Sequence, residues 1–235
     1  MAQSFGVVEG KTCEAEFFLN HLCRSTYLSF DGECYFSAFI SAARSVTLAL
    51  QATMDGIPEF EQWYEGARSR LKADTLAPFF VEIRNDSIHK GINPLNRVSL
   101  DHLQEHLFNQ MGRSKRAHVL LLPDAHSETS TVLADAAHVS KLYFASLVKV
   151  VFECYEQFKY VVDPQWYLTR ENFSSMGKTL QDAVAELGLP PVWASCAPSE
   201  DGGWRALRSL QTRCQINHLF REYLGTEIAG PDDLD

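Results

Sequence analysis

Phe36-Ser37-Ala38-Phe39-Ile40-Ser41-Ala42-Ala43-Arg44-Ser45-Val46-Thr47-Leu48-Ala49-Leu50 is the stretch on which the fold turns. Phe36, Phe39, Ile40, Ala43, Thr47 and Leu50 recur at spacings of three and four. At about 100° per residue they line one side of a helix. Asp31-Gly32 makes a turn before it and Asp55-Gly56 breaks the chain after it, so residues 33–54 are predicted as one long amphipathic helix.

Helical periodicity continues on both sides. Glu14 to Tyr27 reads as a helix with Phe17, Phe18, His21 and Leu28 near one side. Pro58 is expected to open a third helix through Phe60, Trp63, Tyr64 and Leu71, since proline is favoured at a first helical position. A fourth runs from about Pro78 to Lys90 and is stopped by Gly91, Asn93 and Pro94. Beyond it, Ser99 could cap a helix carrying Leu100, Leu103, Leu107 and Met111, followed by a basic turn at Arg113-Ser114-Lys115-Arg116. His118 to Leu122 is an apolar run too short to assign to strand or helix. From about Thr131 to Val161 the pattern is helical again, through Leu133, Ala137, Leu142, Phe144, Leu147, Val151, Tyr155 and Phe158, until Asp163-Pro164 ends it. Two more helices are predicted at about 179–188 and 203–224, with a Pro- and Gly-rich loop between them, and the acidic tail Gly230–Asp235 is expected to fray. The expected fold is all-α, with most of the core in the first 160 residues or so.

Composition sets the outer limits. Of 235 residues, 46% are hydrophobic and 22% charged, enough apolar material to offset the entropy of ordering the chain. No apolar run approaches the roughly 20 residues that cross a bilayer. The N-terminus lacks a basic start followed by an apolar stretch, so a cytoplasmic location is expected. The net charge of −9 argues against a protein that coats nucleic acid through bulk charge. Chemistry on nucleic acid would need a few locally placed cations. The six cysteines form no C-x-x-C pair and are expected to be reduced thiols.

Within the fourth helix, Phe79-Phe80-Val81-Glu82-Ile83-Arg84-Asn85-Asp86-Ser87-Ile88-His89 carries the chemistry. With Arg84 at 0° on a helical wheel, Leu76, Phe79, Phe80, Ile83 and Ser87 fall between about 220° and 320°. Asn85 and His89, an i, i+4 pair, fall at about 100° and 140°, opposite that stripe. Arg84 stands at the edge of the apolar face. The plain reading is a solvated polar face; the sharper one is a face that meets a substrate or partner.

Arg84-Asn85-Asp86-Ser87-Ile88-His89 resembles the R-x4-H signature, with Asn after the Arg, of the HEPN superfamily (higher eukaryotes and prokaryotes nucleotide-binding domains). The helix with Ser41-Ala42-Ala43-Arg44-Ser45-Val46 and the Phe60/Trp63/Tyr64 helix before it match the helical order of that family. The resemblance implies a HEPN-like bundle over residues 12–161, with residues 165–228 a C-terminal helical extension that matches no named family. It further implies a metal-independent endoribonuclease, needing no cofactor, that acts as a homodimer with one composite cleft. A toxin or defence effector, with an antitoxin or other protein partner and no membrane partner, is the expected kind. His89 would transfer protons, because imidazole titrates near working pH. Arg84 would stabilise the phosphate without a metal, through its fork of donors. Asn85 would shape the site and bind substrate, and Arg44 would either reach the cleft as a substrate-binding residue or pair with a carboxylate such as Glu82. The alternative is a non-catalytic HEPN-like module that binds RNA, a nucleotide or a partner protein through the same face.

Other patterns weigh less. His102-Leu103-Gln104-Glu105-His106 matches the H-x-x-E-H zinc pattern, but the same residues face away from Leu100, Leu103, Leu107 and Met111 as any solvated face would. Arg205, Arg208, Arg213 and Arg221 could track phosphates or form a solvated face around Trp204, Leu207, Leu210 and Phe220. Thr179 to Leu187 suggests one half of a helix-turn-helix without a recognition helix. No G-x-S-x-G or Gly-rich phosphate loop is present.

Overall fold

A computed structural model of the chain describes residues 4–25, 29–93, 95, 119–124 and 127–233. The fold is predominantly α-helical. Four helices come first: α1 (Gly6–Arg24), α2 (Phe30–Met54), α3 (Phe60–Ala73) and α4 (Leu76–Lys90). An antiparallel hairpin follows, β1 (Val119–Asp124) and β2 (Ser127–Asp135), with Val119 opposite Asp135 and Leu121 opposite Leu133. Then come the long α5 (Ala136–Val162) and six shorter helices: α6 (Pro164–Tyr167), α7 (Arg170–Ser175), α8 (Leu180–Glu186), α9 (Trp193–Cys196), α10 (Glu200–Ser209) and α11 (Asn217–Leu224). The described residues divide into two compact units, one within Gly10–Val148 and one combining Met1–Glu9 with Lys149–Asp235.

Several expected boundaries move. α1 begins at Gly6 rather than Glu14 and buries Val8, Ala15, Leu19 and Leu22 while Phe17 is exposed, and α2 begins at Phe30, capped by Ser29, so Asp31-Gly32 lies in its first turn rather than before it. The helix expected from Thr131 begins at Ala136, because Thr131–Asp135 pairs with β1, and the unassigned apolar run before Pro123 is that partner strand. Asp135 then starts the helix: its Oδ1 accepts from the N–H groups of Ala137 (2.9 Å) and His138 (3.1 Å), two of the donors a helix start leaves unpaired. Pro58 does not open α3. It lies in a turn closed by Phe60 N–H to Ile57 C=O at 3.3 Å, Glu59 takes φ 66°, and the helix begins at Phe60, whose ring stacks on Trp63 and Tyr64 at 5.9 and 5.5 Å. The helix expected over 203–224 is two helices. The side-chain amide of Gln165 donates to the carbonyls of Arg208 (3.0 Å) and Gln211 (3.2 Å), satisfying the end of α10 where the chain turns away.

In the unit within Gly10–Val148, the predicted α2 stripe is the core: Phe36, Phe39, Ile40, Ala43, Thr47 and Leu50 are all buried. Phe80 of α4 stacks flat on Tyr143 of α5 (4.5 Å, 7°) and meets Phe39 edge-on at 6.1 Å. Burying one such ring contributes about 1.5–3 kcal/mol. The Ser146 hydroxyl donates to Asp74 at 3.1 Å. Asp74 is therefore level with Ser146 and Phe80 with Tyr143, so α4 runs antiparallel to α5. Meanwhile His21 of α1 stacks on Tyr35 of α2 at 4.8 Å, and the charges of Lys141 and Asp135 act on Cys23. The end of α1 and the starts of α2 and α5 thus share one end of this unit, and α4 finishes toward it.

In the other unit, Leu168, Phe173, Leu180, Ala183, Val184, Trp204 and Leu207 form the core. Gly203 is required there: a Cβ at this position would meet Leu180 Cδ2 at 2.7 Å. Asp163 ends α5 and caps α6. Its Oδ1 accepts from Gln165 N–H at 2.8 Å, and its Oδ2 accepts from the Tyr155 hydroxyl. Thr179 and Asp182 form a capping box that starts α8. The tail, expected to fray, is pinned up to Asp233. Asn217 exchanges two hydrogen bonds with the Ile228 backbone (2.6 and 3.0 Å), Trp166 Nε1 donates to Ala229 C=O at 3.2 Å, and Arg208 pairs with Asp232.

Candidate functional site

Helix α4 buries Ala77, Phe80 and Ile83, which fixes its rotation about its own axis. It stops at Gly91, whose φ of 63° suits glycine and lets its N–H bond back to Asp86 C=O. With that face buried, Asn85 and His89 turn to solvent, where the wheel placed them, and Arg84 is half-buried at the rim. Arg84 Nη1 donates to Asn85 Oδ1 at 3.2 Å, and Arg84 Nε is buried without a hydrogen-bond partner among the described residues. One turn on, Lys90 pairs with Asp86 at 2.8 Å. Val81 and Ile88, 37% and 51% exposed, fall at about 60° and 40° on the same wheel, between Arg84 and Asn85.

Arg84, Asn85 and His89 therefore share one accessible face, and Arg44 does not join them. Arg44 Nη1 donates to Thr47 Oγ1 at 2.8 Å within α2, and no ion pair with Glu82 forms among the described residues. Its charge acts on Tyr143 and Tyr64, and Asp74, just before α4, also acts on Tyr143. Arg44 thus belongs with the start of α4, more than two helical turns before Arg84. Burial pushes the Tyr143 hydroxyl up to about 12, against the pull of Arg44, so it stays protonated. A face bearing one imidazole and one guanidinium can transfer one proton and bind one phosphate.

The arginines of the C-terminal helices are used within the fold. Arg208, 8% exposed, donates to both carboxylate oxygens of Asp232 and to Leu168 C=O. Arg205 lies 3.7 Å from the same carboxylate, and Arg221 pairs with Glu227 at 2.5 Å. Beneath the tail, Tyr155, Asp163, Arg213 and Cys214 line two adjoining cavities. Burial raises the Asp163 carboxyl above the usual range, opposed by its bonds from Tyr155 and Gln165, and burial raises the Cys214 thiol, helped by Glu9. These groups cap α6 and seat the tail. His102, Glu105, His106, the helix expected from Ser99 and the basic turn at 113–116 lie outside the described residues. Among the described residues, no group of three or more His, Cys, Asp and Glu is placed to hold a metal ion.

One aromatic cluster was not singled out from the sequence. Phe17 and His21 of α1 lie at 4.4 Å, and His21 stacks on Tyr35 of α2 at 4.8 Å with 27° between the rings. The i, i+4 spacing of Phe17 and His21 was the available signal; the long-range contact to Tyr35 had none.

The family model for bacteriophage lambda protein ea47 matches residues 15–110, a span that holds most of α1, all of α2 to α4 and the Arg84–His89 motif. No curated protein and no solved structure matches the chain. Among the described residues, no helix is long and apolar enough to cross a membrane.

Proposed function

We propose that this chain is a HEPN-like, metal-independent endoribonuclease whose cleft is built from two copies of the α4 face. The observation that carries the reading is the joint exposure of Asn85 and His89 beside an Arg84 that is braced by Asn85 and retains an unpartnered Nε. In the reaction, the imidazole of one His89 takes the proton from a ribose 2′-OH. The 2′-oxygen attacks phosphorus as the bond to the 5′-oxygen breaks, and His89 of a second copy supplies the proton that the 5′-oxygen needs. Products are a 2′,3′-cyclic phosphate and a 5′-hydroxyl. The Arg84 guanidinium neutralises the charge that gathers on the non-bridging oxygens. Exposed Val81 and Ile88, between Arg84 and Asn85, give a second copy an apolar surface to cover while it brings its own histidine.

The test is incubation of the purified chain with total RNA in excess EDTA, beside His89→Ala and Arg84→Ala. Cleavage leaving cyclic phosphate ends, lost in both variants, is the expected result. Inactivity of the wild type across varied RNAs would overturn it in favour of a non-catalytic module that binds RNA, a nucleotide or a protein through this face. Activity that requires added zinc would overturn it too. A strictly monomeric solution mass removes the composite cleft.

A further inference from the structure

We propose that Phe17, His21 and Tyr35 form a stacking site for an unpaired RNA base, beside the α4 face and separate from it. The inference rests on the ribonuclease reading and adds that the substrate is single-stranded where it meets this ledge.

The first support is position. His21 and Tyr35 lie where α1 ends and α2 begins. Phe36, the next residue, packs on Phe80 of α4 at 6.3 Å. Arg84 is one turn beyond Phe80, about 6 Å along the axis, and packed helices lie about 8–10 Å apart. Tyr35 and Arg84, at the rim of the motif, are thus on the order of 10–15 Å apart at one end of the unit, a gap that a short run of nucleotides spans.

The second support is chemistry. Phe17 is 55% exposed and leans on the His21 imidazole at 58°, and His21 in turn stacks on the Tyr35 ring, so the exposed Phe17 face stands beside a stacked pair. The polar edges are free: neither the His21 nitrogens nor the Tyr35 hydroxyl has a hydrogen-bond partner among the described residues. A base offers a flat face to stack and an edge to bond, which suits both features. The third support is charge. Phe17, His21 and Arg24 share one face of α1 at spacings of four and three. Exposed Arg24, one turn beyond His21, sets a cation beside the ledge where a backbone phosphate would pass. An apolar protein partner would have to bury that cation and the free polar edges.

The experiment uses the full-length His89→Ala chain, which binds without cutting, and a single-stranded RNA oligonucleotide carrying 2-aminopurine. Stacking should quench the fluorescence on titration. Phe17→Ala and Tyr35→Ala should each weaken binding roughly five- to tenfold, whereas Tyr35→Phe keeps the ring and the affinity. Arg24→Gln should lower the salt slope by about one. Far-UV melting curves of each variant verify that the fold is intact. Absent quenching, unchanged affinity in both alanine variants, or equal binding of the same sequence as a duplex would overturn the proposal and leave the ledge as a protein-facing surface. Cleavage by the wild type is scored separately. A chain that cleaves without quenching loses the ledge and keeps the ribonuclease reading; one that quenches without cleaving does the opposite.

Discussion

Arg84 and Arg208 look alike in the sequence, each in a helix with apolar neighbours three or four residues away. In the structure they have opposite fates. Arg208 spends its donors on Asp232 and on the Leu168 carbonyl, and is almost wholly buried. Among the described residues Arg84 makes one bond, to the residue beside it, and it stands at the rim of a face where Asn85 and His89 are exposed. The same contrast holds for the carboxyl and amide groups of the two units: Asp163, Gln165 and Asn217 close helix ends and hold the tail, whereas Asn85 only braces an arginine. A side chain committed to its own fold has little left for a ligand. The place to seek chemistry is where polar groups are positioned but not consumed.

Substitutions can break that contrast. The largest effect is expected at the open face: His89→Ala or Arg84→Ala should lower RNA cleavage by at least about a hundredfold. The thermal midpoint should barely move, because surface replacements usually stay within about 0.5 kcal/mol. If midpoint and cleavage fall together, Arg84 is a structural arginine like Arg208. Next comes Arg208→Ala, which leaves the Leu168 carbonyl without its donor and Asp232 to the exposed Arg205, and should cost about 2 kcal/mol in denaturant unfolding while cleavage per folded molecule is unchanged.

A smaller effect, with a definite sign, is expected at Asp163. Its carboxyl is raised in the folded state mainly by burial, so the stability it contributes is fully present below its unfolded value and lost as pH rises through the folded one. Asp163→Asn keeps the helix cap and removes the charge. It should raise the midpoint at pH 7, and its advantage should shrink as the pH falls through the raised folded value and be gone below about 4, read by thermal melts across pH. The smallest effect belongs to Arg221→Ala, since its pair with Glu227 lies in solvent, and no change in midpoint is expected.

Periodicity was legible wherever a helix buries a stripe against its neighbours. Phe36 to Leu50 gave α2, and Phe80 and Ile83 fixed the rotation of α4, so the outward aim of Asn85 and His89 followed from the sequence alone. What was not legible depends on partners far away in the chain. The β-hairpin needs Thr131–Asp135 to find a run that ends in proline, and nothing in either strand names the other. The break between α10 and α11 is made by Gln165, more than forty residues earlier. Arg44 could have reached the motif or a carboxylate, and only the antiparallel course of α4 against α5 shows that it lies toward the wrong end. Leu142, counted in the apolar stripe of α5, is exposed.

The tail clamp has a practical consequence for handling the protein. Because Asn217, Trp166 and Arg208 each find a partner between Ile228 and Asp232, that segment behaves as the latch of a box rather than as a free strand of chain. A carboxypeptidase should stall near Asp233 while the C-terminal unit is folded and run on once it opens, so trimming serves as a clock for that opening. Purification handles added at this end should be given a spacer, or they will pull on the latch.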